Sequence, residues 1–227
     1  AGKTTVFNML TGVYKPTSGN IFFNTSKNGS ENLKSTIVLN PYQITQMGIA
    51  RTFQNIRLFK DLTVLDNVRI AYHFNVKYTA LEGMLRLPRF FKEEKVITEK
   101  AMDLLKIFSI DNKHNELAKN LPYGEQRKLE IVRALATNPK VLLLDEPAAG
   151  MNPQETQDLM RLIQFIREKF NLTILLIEHD MHLVMGICER LVVLDYGQII
   201  AQGLPQEISK NPKVIKAYLG EEVEFGA

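Results

Sequence analysis

The residues Val141 to Pro147, VLLLDEP, constrain the fold more than any other stretch of the chain. Four apolar residues in a row, closed by an acid pair and a proline, read as a short strand buried on both faces. Such a strand needs helices above and below it. The flanking sequence supplies them, with a helix from Gln126 to Ala136, one from about Gln154 to Phe170 and one from about Met181 to Glu189. They alternate with further apolar strands at 172–178 and 191–195 and, after the turn YGQ, with the strand IIAQG. This alternation indicates an α/β domain whose mostly parallel sheet is covered on both faces. DYGQII closes a hairpin, so one edge of the sheet is expected to be antiparallel.

Upstream the pattern is less regular. Val6 to Leu10 continue an apolar helix. Pro16 and Gly19 punctuate the chain before a β-prone run at Ile21 to Phe23. The polar segment 24–32 reads as a surface loop or hairpin end, STIVLN (35–40) as a second short strand, and PYQITQMG as a short helix opened by proline and closed by glycine. From about Asp66 to Asn120 strand signals vanish. Val96, Ile97, Ala101, Leu104, Leu105 and Phe108 recur there at helical spacing, which reads as a helical lobe (66–120) inserted into the α/β core.

Composition narrows the class. The 227 residues, 45% hydrophobic and 23% charged, suit a single large soluble domain. No run approaches the roughly 18 apolar residues of a membrane span, and no basic-then-apolar secretory pattern opens the chain. Cys188 is the single cysteine, which excludes an intramolecular disulfide and reads as an inert thiol in a reducing compartment. The four histidines lack metal-ligand spacing. A net charge of +3 without a dense Lys/Arg cluster gives no argument for nucleic acid as a partner.

Several residues carry chemistry. Asp145 and Glu146 lie at the carboxyl end of an apolar strand, where ligands bind in open α/β sheets. Asp145 can hold Mg²⁺, directly or through water, and Glu146 can act as a general base, although an acid pair can also simply end a buried strand. Gly2-Lys3-Thr4 is the end of the phosphate-binding pattern G-x-x-x-x-G-K-[ST] and leads into a helix. Alone it could be a basic residue at a frayed terminus; with the acid pair it forms the second half of one nucleotide site. Gln54, in ARTFQ, stands between a β-prone run and the helical lobe, where a side-chain amide can ligate Mg²⁺. The turn Pro122-Tyr123-Gly124 opens a long helix and is either an anion site or plain capping. Glu178-His179-Asp180 ends the next strand, which sets His179 on the rim of Asp145 and Glu146.

Gly2-Lys3-Thr4-Thr5, Gln54, a helical insertion, LPYGEQ, VLLLDEP, AAGMNP and IEHD, in that order, resemble the ATP-binding domain of ABC transporters over essentially the whole chain. RTFQNIRLF, LEIVRALATNPKVLLLDEPAAGMNP and the tail PQEISKNPKVIKAYLGEE look like the LivG-type subunit of branched-chain amino acid importers, with the lipopolysaccharide-export ATPase as the nearest alternative. A soluble ABC ATPase without a permease is a second, since neither the coiled-coil insertion nor the fused second cassette usual in such proteins is visible. A regulatory module that holds ATP without turnover is a third, against which Glu146 and His179 argue.

The resemblance implies a P-loop fold of ABC ATPase type, with a small antiparallel β part and a C-terminal helical tail over 205–227. It implies ATP and Mg²⁺, with Gly2, Lys3, Thr4 and Thr5 at the phosphates, Thr4, Gln54 and Asp145 at the metal, and Glu146 and His179 as catalytic residues. Pro122, Tyr123, Gly124 and Glu125 would serve the nucleotide of a second, homologous ATP-binding subunit in an ATP-sandwich dimer. Two integral membrane permease subunits, and through them a substrate-binding protein, are the further partners implied, at the cytoplasmic face of the cell membrane. The chain departs from the family at Pro122 and Tyr123, where serine and glycine are usual, and at Asn152, where an aspartate is usual. The incomplete phosphate pattern leads us to expect about thirty further residues upstream, enough for two or three strands.

Overall fold

The structure is a computed structural model that describes residues 2–25, 32–76 and 78–219. Its centre is a parallel sheet of three strands, β3 (Ile49–Arg51), β4 (Val141–Asp145) and β5 (Thr173–Ile177), in that spatial order. Arg51 pairs with Leu143, and Asp145 with Ile177, so the strands finish along one rim. Two antiparallel pairs stand apart from it, β1 (Phe22–Asn24) with β2 (Leu33–Ser35) and β6 (Leu191–Asp195) with β7 (Gln198–Gly203).

Ten helices surround these strands among the described residues. α1 (Lys3–Leu10) and α2 (Pro41–Met47) precede β3. α3 (Val64–Tyr72), α4 (Ala80–Met84), α5 (Pro88–Ile107) and α6 (Tyr123–Leu135) fill the chain between β3 and β4. α7 (Pro153–Lys169) joins β4 to β5, α8 (Met181–Ile187) leads to β6, and α9 (Pro205–Ile208) and α10 (Pro212–Leu219) follow β7.

The alternation of side chains along β4 divides the core. Leu142 and Leu144 enter one cluster with Leu129 and Ile131 of α6, Leu159 and Ile163 of α7, and Val68 and Leu105 of the helices between. Leu143 points the other way, onto Phe7 of α1, Ile44 of α2 and Ile177 of β5. All three leucines are buried, each contributing about 1.5–3 kcal/mol of transfer free energy. The approach of α2 to β4 depends on Gly48. It caps α2 in the left-handed conformation, and its carbonyl accepts from the Lys140 and Val141 amides at 2.8 and 3.0 Å. A Cβ there would sit 3.3 Å from the Lys140 nitrogen.

Three expectations need correction. STIVLN is not a strand: the ladder ends at Ser35, and the Leu39 amide turns back onto the Thr36 carbonyl at 3.0 Å. The turn expected at Pro122-Tyr123-Gly124 is shorter, because Pro122 is the N-cap and Tyr123 and Gly124 are already helical. The β6–β7 hairpin forms, with Tyr196 and Gly197 both at positive φ as a two-residue turn requires, but among the described residues it pairs with no strand of the parallel sheet. A cleft of about 550 Å³ lies between β5 and β6. Leu175 and Val192 face it and are 42% and 51% exposed. An apolar run reports burial of its faces and not which strand lies beside it.

A polar cluster ties α3 to α5. Glu94 Oε2 accepts from Arg69 at 2.7 Å, and its Oε1 accepts from Tyr78 at 2.9 Å and lies 2.7 Å from His73 Nε2. Burial pushes the Glu94 carboxyl up, but the bonds from Arg69, His73 and Tyr78 outweigh it and hold it below its ordinary 4.5. A lowered carboxylate stabilises the fold above the unfolded pKa, and that contribution disappears as pH falls through the folded value. Glu94→Gln is therefore expected to lower the melting temperature at pH 7, with the difference from the parent shrinking below about pH 4.5. Parallel thermal melts between pH 3.5 and 7.5 check this; a difference that does not change with pH would contradict it.

Candidate active site

The carboxyl ends of β3, β4 and β5 bring the acid pair, Gln54 and His179 together. The Glu146 amide donates to the Ile177 carbonyl at 2.9 Å, one step past the last ladder pair, and its φ is +45°. That conformation swings the Glu146 side chain off the strand direction. Gln54 Nε2 donates to Glu146 Oε2 at 2.8 Å, and His179 Nδ1 lies 3.8 Å from Glu146 Oε1. Two residues that are far apart in the chain thus converge on the carboxylate of a third.

Glu178 organises the rim from the β5 side. Its Oε1 accepts from the Ala148 amide at 2.9 Å and its Oε2 from the His179 amide at 3.2 Å. Its carbonyl accepts from Lys3 Nζ at 3.2 Å, so the lysine already stands beside His179. Lys3 begins α1 behind Gly2, which is left-handed at φ +87° and packs against the Gly197 turn. Thr4 and Thr5 lie exposed in the first turn of α1, where backbone amides have no partner within the helix. A helix N-terminus with a lysine beside it favours phosphate. Cys188 lines the cleft below, where burial and then the Glu178 charge push its thiol pKa up, so it is held as the unreactive thiol.

Asp145 has a partner that nothing in the sequence announced. Arg51 Nη2 donates to Asp145 Oδ2 at 2.6 Å, and Arg51 Nη1 donates to Asn8 Oδ1 of α1 at 2.7 Å. The Arg51 and Asp145 side chains are 5% and 3% exposed, so each is the other's desolvated counter-charge. The guanidinium also lies over the Phe7 and Phe53 rings.

A second buried pair holds the Gln54 segment. Arg127 of α6 donates to the Phe53 carbonyl at 2.7 Å, the Gln54 carbonyl at 2.9 Å and Glu130 Oε2 at 2.9 Å. Glu130 Oε1 accepts from the Phe53 and Arg57 amides at 3.3 and 3.2 Å. These contacts clamp the backbone around Gln54 onto α6. A signal was present here: Arg127 shares the helical stripe of Ile131 and Ala134, where a charge is out of place unless it is paired.

Pro122, Tyr123, Gly124 and Glu125 are not part of the Glu146 cluster. They open α6 against the start of α7: Gly124 faces Glu155, Tyr123 faces Gly150, and Glu125 accepts from Lys113 at 2.6 Å. Asn152 caps α7, its Oδ1 accepting from the Glu155 amide while Glu155 Oε2 accepts from the Asn152 amide, both at 2.9 Å. A capping box is a physical use for asparagine at this position.

The donors suit Mg²⁺ with a phosphate. Gln54 spends its nitrogen on Glu146, and Asp145 spends Oδ2 on Arg51. Gln54 Oε1, Asp145 Oδ1 and the exposed Thr4 hydroxyl remain as hard oxygen donors. Among the described residues no cluster of three or more His, Cys, Asp or Glu could hold a metal, so these three would need phosphate oxygens to complete a shell.

The family model "ABC transporter" matches residues 1–149, and "Branched-chain amino acid ATP-binding cassette transporter" matches 198–224. The chain is 47% identical to the high-affinity branched-chain amino acid transport ATP-binding protein LivG of Escherichia coli K12, covering 97% of this chain and 84% of that protein. It is 46% identical, with the same coverage, to BraF of Pseudomonas aeruginosa, which carries the same description. Among solved structures it superimposes on an ATP-binding cassette of an ABC transporter in its ADP conformation, with a TM-score of 0.78 and 32% identity over 96% of this chain and 84% of that one. The chain belongs to the ATP-binding cassette ATPases of ABC transporters.

Proposed function

We propose that the chain is the ATP-hydrolysing subunit of a membrane importer for branched-chain amino acids, bound to the cytoplasmic face of the membrane. The observation that carries the catalytic part is the convergence of Gln54 and His179 on Glu146, beside Lys3 and the α1 N-terminus. The importer assignment is supported by the match of residues 198–224 and by the names of relatives at 46–47% identity.

Gly2, Lys3, Thr4 and Thr5 hold the ATP phosphates through the amides of the first helical turn and the lysine ammonium. Thr4, Gln54 and Asp145 hold Mg²⁺, which when bound neutralises phosphate charge. Glu146 orients the attacking water and takes its proton at the carboxylate. His179 steadies the γ-phosphate from the β5 side, and Arg51 keeps Asp145 in place. Pro122, Tyr123, Gly124 and Glu125 face the nucleotide of a homologous second subunit.

The permease pair docks over the groove of about 630 Å³ between the Gln54 segment, α3 and α6, where Leu58, Phe59 and Ile70 form an apolar floor beside Arg57 and Arg133. Movement of that segment reaches Glu146 through Gln54. The test is reconstitution in proteoliposomes with the second ATP-binding subunit, the permeases and the substrate-binding protein. ATP-dependent uptake of labelled leucine, isoleucine or valine is expected. A complex that hydrolyses ATP yet accumulates none of them would overturn the substrate, and one that does not hydrolyse ATP would overturn the reading itself.

A further inference from the structure

The elbow between α4 and α5 has a surface that the nucleotide site does not use. Leu81 and Met84 lie at i and i+3 on α4 with Leu85 as its C-cap, and Leu87 is the N-cap of α5 four residues before Phe91. All five are exposed, Met84 at 84%. Their exposure is not a failure of packing. Inside the elbow, Tyr78 and Phe90 meet edge to face at 5.2 Å, Gly83 packs against both rings, and Thr79 caps α4 with a capping box. Arg86, at φ +47°, makes the tight reversal that leaves the apolar residues on the outside.

Charge says what they face. The three acids of the elbow are paired within it or with α3: Glu82 and Glu93 with the exposed Arg89, and Glu94 with Arg69 and His73. Arg86, Lys92 and Lys95 are exposed and interleaved with the apolar residues. Leucine, methionine and phenylalanine beside outward cations are what an anionic lipid surface binds, with apolar groups entering the acyl boundary and long cations reaching phosphates. No helix among the described residues is long and apolar enough to cross a membrane.

We propose that the α4–α5 elbow is a lipid-contact site for anionic phospholipid headgroups. This rests on the reading of the chain as a membrane-associated subunit and adds to it a direct contact with lipid, independent of the permease. The test is flotation of the full-length, unassembled subunit with vesicles of phosphatidylcholine alone or mixed with phosphatidylglycerol, whose anionic headgroups attract cationic segments. Binding is expected to the anionic vesicles only and to weaken as salt rises.

Arg86→Glu with Lys92→Glu should lower partitioning about tenfold or more. Met84→Ser with Leu85→Ser should abolish it. Both pairs are exposed, so melting temperature and ATP binding should match the parent. Equal binding to neutral and anionic vesicles, or unchanged binding by either double variant, would overturn the proposal. So would variants that bind vesicles normally but fail to assemble with the permease, since the elbow would then contact protein. Loss of vesicle binding with normal leucine uptake by the assembled complex would leave the transport reading intact, so the two readings fail separately.

Discussion

Glu146→Gln in the assembled transporter is expected to slow ATP turnover by about 10²–10⁴-fold, the usual cost of losing a general base. That corresponds to about 3–5 kcal/mol of barrier. Glutamine keeps the length and the acceptor that Gln54 Nε2 now uses at 2.8 Å, so the local geometry should survive. What it cannot do is accept the proton of water. Nucleotide affinity should stay within a few-fold of the parent, because Lys3, the α1 amides and Asp145 are untouched. Phosphate release at saturating Mg·ATP, measured beside equilibrium nucleotide binding, separates the two effects. As separate subunits outside the complex, the variant should also accumulate an ATP-bound closed pair visible by sizing chromatography. Turnover within threefold of the parent would remove Glu146 from the role of base. Asp145→Asn is a poorer probe, since it also withdraws the counter-charge of buried Arg51 and so acts on folding as well as on metal binding.

Arg127→Met is expected to destabilise the fold by about 3–5 kcal/mol, the range for breaking one side of a buried ion pair. The Arg127 side chain is fully buried and that of Glu130 2% exposed, so the abandoned carboxylate gains little from water. Arg127→Met with Glu130→Leu should recover only part of the loss. The pair also satisfies the carbonyls of Phe53 and Gln54 and the amides of Phe53 and Arg57, and buried backbone groups left without partners cost about 1–3 kcal/mol each. Urea unfolding of parent, single and double variants gives the comparison. A single-variant loss below about 1 kcal/mol would mean that water reaches the pair after all. Because the clamp fixes the Gln54 backbone, loss of turnover should accompany loss of stability.

Elements written in local pattern were legible. VLLLD occupies the predicted strand to the residue, PYQITQM is a proline-opened and glycine-closed helix, and Tyr196-Gly197 turns the hairpin. The site was legible where function is carried by residues at strand ends, since the rim of a parallel sheet follows from the alternation itself. That places Asp145, Glu146 and His179 on a common edge before any coordinate is known. Spatial adjacency was not legible. Arg51 meets Asp145 across 94 positions of sequence, and no periodicity encodes that meeting. STIVLN failed because β-prone composition cannot see where a hairpin ladder ends.

The left-handed backbone at Glu146 sets two demands against each other. A φ of +45° is most comfortable for glycine, asparagine or aspartate. None of the three has the length of glutamate, with which Glu146 meets both Gln54 and His179. The residue at this position is thus chosen by chemistry against the preference of its own main chain, and the ladder bond to Ile177 holds it there. On the proposed role of Glu146 as general base, drift toward a more stable protein at this one site leads away from an active one, so selection for thermostability alone would silence the enzyme before it harmed the fold.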